Sequence, residues 1–100
     1  MITAARSRNI DVILGKLMPV SDGLEAKEPG INAAVVKLNN EIDRLAQEYG
    51  LGPAVDLYSM AAADPYLIGQ DNLHPTPEGM TRIAEKFRDA VVSRYHVPAP

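Results

Sequence analysis

An α/β domain with parallel strands is the fold class this 100-residue chain predicts, and three observations predict it. A short aliphatic run at 10–15 precedes a long stretch of helical periodicity at 31–49. A second short apolar run follows at 53–58. Strand, helix and strand in this order make a β-α-β unit, whose crossover is right-handed and parallel. Another helical stretch at 77–95 completes the pattern.

Residues 1–9 place Ile2, Ala4 and Ala5 ahead of Arg6 and Arg8, which reads as the last turns of a helix with cations near its negative end. Val12, Ile13 and Leu14 then stand in succession between Asn9 and Gly15, the mark of a strand buried on both faces. Over 16–30 the periodicity is lost and Pro19, Ser21, Asp22, Gly23, Pro29 and Gly30 accumulate. A loop of about fifteen residues is expected there. Because it leaves the C-terminal end of a strand, its 16–20 portion is placed to line a ligand cleft. A surface loop without a ligand is the equal alternative.

Ile31, Ala34, Val35, Leu38, Ile42, Leu45, Ala46 and Tyr49 recur at the spacing of one helical face, and Gly50 supplies a left-handed stop. Asn39 and Asn40 are expected to be solvated or capping neighbours on that helix. Gly52 and Pro53 restart the chain, and Ala54, Val55, Asp56, Leu57 and Tyr58 suit the second strand. Asp56, inside an apolar run, must find a partner or face water. It reads as a hydrogen-bonded structural carboxylate, with support of a site as the alternative. Residues 59–69 show no clear period and predict a loop with at most one helical turn. The last helix puts Met80, Ile83, Ala84, Phe87, Ala90, Val91 and Tyr95 on a core face, with Glu78 and Arg82 as an i, i+4 pair. His96, just past its end, suits the helix dipole better than chemistry.

The candidate chemistry lies in Gln70-Asp71-Asn72-Leu73-His74-Pro75-Thr76-Pro77-Glu78-Gly79. His74 and Thr76 each precede a proline, which pushes both toward extended backbone. Thr76 then has the hydroxyl of an N-cap, Pro77 suits the first helical position, and Glu78 sits at the positive end of the dipole. A carboxylate three residues before an imidazole, ahead of a helix start, is the arrangement in which Asp71 accepts Nδ1–H and His74 keeps Nε2 as a base. The alternative is an Asx turn with a surface histidine.

The string Asp-Asn-Leu-His-Pro-Thr-Pro-Glu-Gly-Met at 71–80, followed by Ile83-Ala84, resembles the last sequence block of the SGNH/GDSL hydrolases, which are serine esterases and lipases. Asp11-Val12-Ile13-Leu14-Gly15-Lys16-Leu17-Met18-Pro19-Val20 is similar to that family's fourth strand and following loop, and Pro53-Ala54-Val55-Asp56-Leu57 to its fifth strand. The resemblance implies part of a three-layer α/β/α flavodoxin-like fold, with Asp71 and His74 as acid and base of a Ser-His-Asp triad. It implies no cofactor. The family's Gly-Asp-Ser nucleophile block and its Gly and Asn oxyanion donors have no counterpart here, since none of Ser7, Ser21, Ser59 and Ser93 follows Gly-Asp. The chain therefore reads as the C-terminal half of such a domain, whose nucleophile half would lie upstream of Met1.

Composition bounds the remaining functions. With 46% hydrophobic and 23% charged residues the chain has the make-up of one small globular domain, of marginal stability at this length. Its net charge of −3 and scattered basic residues argue against nucleic acid or an anionic membrane as partner. No window approaches a membrane span, the N-terminus lacks a signal-peptide core, and without cysteine no disulfide or thiolate site forms. Three functions follow. The first is hydrolysis of a small acyl ester by the complete protein, with negligible triad catalysis in this chain alone. The second is a non-catalytic α/β interaction or relic module, prone to self-association through the exposed edge of the 10–15 strand. A metal site of Asp71, His74 and Asp64 is the third, disfavoured because zinc usually takes several histidines or thiolates.

Overall fold

The computed structural model describes residues 1–71 and 73–95, so Asn72 and His96 lie outside the described residues. Among the described residues five helices follow one another: α1 (Ile2–Ser7), α2 (Asp22–Lys27), α3 (Ile31–Glu48), α4 (Leu57–Ala63) and α5 (Pro77–Tyr95), with a 3₁₀ turn at Pro65–Leu67. The two long helices occupy the ranges that periodicity predicts. Tyr49 caps α3 and Gly50 follows at φ 64°, donating to Gln47 O at 3.2 Å, while Leu51 N reaches Ala46 O at 2.9 Å. That pair of bonds is a Schellman stop, and Leu51 and Ala46 also meet in the core, as the motif requires.

The expected α/β/α fold with parallel strands at 10–15 and 53–58 does not form: 63% of the described residues are helical, 4% are strand-like, and there is no sheet. What remains is a single parallel bridge between Gly15 and Val55, held by Val55 N to Leu14 O and Lys16 N to Val55 O, each 2.8 Å. Two causes cut the strands short. Asp56 accepts Ser59 N at 3.1 Å and Ser59 Oγ at 2.7 Å, so it caps α4 and ends the extended run before Leu57. The 10–15 segment meets a side chain instead of a second neighbouring strand, because the Arg94 guanidinium donates to Val12 O at 2.7 Å. Two short segments cannot make a sheet by themselves.

Helices supply the packing. Ile2, Ala46 and Leu51 form a buried cluster joined by Val12, Leu14, Leu45 and Tyr49, so α1 rests on the end of α3 and on the extended segment. The Phe87 ring of α5 lies so close over Gly15 that a Cβ there would come within 2.8 Å of it. Tyr95 donates to Asp11 at 2.8 Å.

The 16–30 stretch is built, not loose. Asn39 is only 5% exposed, and its amide accepts from Leu17 N at 2.7 Å and donates to Leu17 O at 3.0 Å. Asn32 treats Val20 in the same way, at 2.8 and 3.2 Å. The expectation of a solvated Asn39 is corrected accordingly: the amide replaces a strand as the backbone's partner, which is why it is buried among apolar residues. Glu25 in α2 accepts from Gly30 N and Asn32 N, both at 2.9 Å, and these amides hold its carboxyl below the usual range. The predicted apolar faces are also wider than what is covered. Leu38 is 54% and Met80 58% exposed.

Candidate functional site

The site begins with a fully buried residue, Leu67, at the end of the 3₁₀ turn. Its carbonyl accepts Thr76 N at 2.8 Å and Thr76 Oγ1 at 3.2 Å. Thr76 Oγ1 in turn accepts Gly79 N at 3.0 Å, so one hydroxyl caps α5 and closes the loop. Gly79 is needed there, because a Cβ would run into the Leu67 carbonyl. Ile68 and Pro75 pair in an antiparallel bridge, and Gly69 N donates to His74 O at 2.6 Å.

Inside this clip Asp71 organises the turn. Its Oδ1 accepts Leu73 N at 3.0 Å and His74 N at 2.9 Å, an Asx turn, while Oδ2 accepts from His74 Nδ1. The hydrogen bond from the imidazole, followed by those from the Leu73 and His74 amides, lowers the Asp71 pKa to about 2. An ionised carboxylate only accepts, so the shared proton belongs to Nδ1, and in the neutral imidazole the lone pair is then on Nε2. The His74 side chain is 75% exposed, and among the described residues no group bonds its Nε2.

Asp71 and His74 are thus brought together; the other candidates are not. Ser7 donates to Ala4 O and Ser59 to Asp56, both at 2.7 Å, and neither hydroxyl is directed to the imidazole. Asp56 serves α4, the structural role, and its carboxyl stays below the ordinary value because the Ser59 amide and hydroxyl outweigh the upward push of burial. Asp64 pairs with Arg82 at 3.4 Å. Among the described residues no three His, Cys, Asp or Glu side chains gather around a point that could hold a metal ion. Pro19 and Val20 do line a hollow of about 200 Å³, shared with Tyr58, Pro65 and Ile68.

Sequence reasoning missed the two asparagine clamps and the Glu25 cap. Asn32 and Asn39 stand seven residues apart on α3, two helical turns, so both fall on one face, a signal that polar residues were meant to be inside. No helix is long and apolar enough to cross a membrane among the described residues. No model of a known protein family matches the chain, and no curated protein matches it either.

Proposed function

We propose that Asp71 and His74 are the acid and base of a Ser-His-Asp triad of the SGNH/GDSL type that hydrolyses small carboxylic esters, the serine coming from outside this chain. The observation that carries the reading is the Nδ1–H bond to an ionised Asp71 on an imidazole that is 75% exposed and whose Nε2 has no partner among the described residues. In the reaction, Nε2 takes the serine proton as Oγ attacks the ester carbonyl. Asp71 holds the imidazolium. The proton then passes to the departing alkoxide, which leaves as alcohol, and the acyl group stays on serine. Water, deprotonated by the same Nε2, attacks the acyl-enzyme; the bond from acyl carbon to serine Oγ breaks, Oγ takes the proton back from Nε2, and the acid leaves and ionises to the carboxylate. No cofactor enters.

The test begins with the reading frame upstream of Met1. If it encodes Gly-Asp-Ser, the extended protein should turn over short p-nitrophenyl esters. Asp71→Asn should then lower kcat by roughly 10⁴-fold and His74→Ala by roughly 10⁶-fold. An extended protein indifferent to both changes sinks the proposal. A second reading, a non-catalytic interaction module, is favoured by one observation: among the described residues every hydrogen bond of the Asp71 side chain stays within 71–74. Such a module would self-associate through exposed apolar side chains such as Ile10 and Leu17, and sedimentation over a range of concentration would reveal it.

A further inference from the structure

On α5 the residues Lys86, Ala90 and Arg94 are spaced i, i+4, i+8 and therefore share one face. That face looks onto a cleft of about 580 Å³ between α5 and the 50–56 segment. Its floor is apolar, made by Ile13, Leu51, Pro53 and Val55, and the small Ala90 leaves it open in the middle. The volume is that of an ordinary small-molecule site. What distinguishes it is the charge at its rim. Among the described residues neither Lys86 nor Arg94 has a carboxylate within ion-pair distance, although Lys86 lies near enough to Asp56 to feel its charge. Arg94 spends one N–H on Val12 O and keeps the rest of its fork, and Ser93 adds a hydroxyl beside it. The one acid in the lining, Asp56, has both oxygens turned to Ser59.

We infer that this cleft binds a single-chain aliphatic carboxylate, its tail along Leu51 and Pro53 and its head drawn to Lys86 and Arg94. An apolar channel with Lys86 and Arg94 at its rim, and its one lining carboxylate hydrogen-bonded to Ser59, favours an amphipathic anion over a neutral or cationic chain. The site goes beyond the ester-hydrolysis proposal. Asp71 and His74 precede the first turn of α5, and Lys86 lies nine residues past Pro77, roughly 14 Å along the axis.

Isothermal titration of the full chain with straight-chain carboxylates below their micellar range tests it. Binding should be one to one and should tighten about fourfold for each methylene from octanoate to decanoate. 1-Decanol should bind roughly tenfold more weakly than decanoate, and Lys86→Gln should erase most of that preference. Arg94→Gln should act likewise, provided that its circular dichroism matches the parent; Lys86, on the solvent side, carries the test if it does not. Ala90→Leu should close the channel and weaken both ligands. Equal affinity for decanol and decanoate, or retention of the preference in Lys86→Gln, would overturn the inference. So would self-association in the absence of ligand that Ala90→Leu abolishes, which would give the cleft to a second copy of the chain.

Discussion

Asp71 uses three acceptor positions on one turn, and each has a different consequence on removal. Asp71→Asn keeps the acceptor for the two amides but can present an NH₂ toward Nδ1, which favours the wrong tautomer of His74. The imidazole's nitrogen-15 shifts should report that switch. Because the folded pKa is depressed from 3.8 to about 2, the turn is stabilised by the carboxylate above pH 3.8 and loses that contribution as pH falls through about 2. A carbon-13 titration of the Asp71 carboxyl should therefore still show it ionised at pH 3, and a midpoint near 4 would contradict the hydrogen bonding described. This pair was legible in the sequence because its partners are three residues apart and two prolines limit the backbone between them and the helix. Asn39 was not, since its partner Leu17 lies in a segment that carries no periodic signal. Asn39→Ala should cost about 1–3 kcal/mol by leaving the Leu17 N–H and C=O without partners, measurable as a lower urea midpoint.

Among the elements, α3 and α5 were readable because their apolar spacing runs over several turns, and a signal of that length survives local exceptions. The orientation of their faces was less readable. Met80 points to solvent while Ile83 and Phe87 pack, because Gly79 must press against Leu67 and that contact sets the roll of the helix. Gly79→Ala, a change that raises helix propensity by about 1 kcal/mol, should here lower stability, because the added methyl meets a carbonyl rather than a movable side chain. Thermal unfolding decides the sign. Thr76→Ala should cost about 1 kcal/mol, near 4–8 °C in Tm for a domain of this size. The 53–58 strand was misread because two rules compete there. β-branched apolar residues favour extension, but an Asp three residues before Ser59 offers α4 a cap, and the cap wins when no neighbouring strand rewards the extended form.

Across the whole molecule the dimensions are 43 × 31 × 19 Å and the radius of gyration is 15.0 Å. A well-packed domain of this length has a radius near 13 Å, so the chain is flatter than its composition suggests. The exposed Leu38 and Met80, together with Ile10 and Leu17, belong to that flatness. Composition and periodicity report how much apolar surface exists, not which neighbours arrive to cover it, and this is why the global fold was the least legible level. A heat-capacity change of unfolding below about 12 cal/mol/K per residue is expected, since less apolar surface is hidden than in a typical domain. Scanning calorimetry measures it directly.

The Thr76 hydroxyl both receives the Gly79 amide and grips the Leu67 carbonyl, so the start of α5 and the loop that holds His74 are joined through one atom. Two processes that look separate, fraying of a helix and titration of an acid, are thereby thermodynamically linked, and linkage is reciprocal. Acidifying through the Asp71 transition should lower the deuterium-exchange protection factor at Gly79, and Thr76→Ala should move the Asp71 midpoint upward toward 3.8. The end of the helix serves, in that sense, as a remote gauge of the proton on the Asp71 carboxyl.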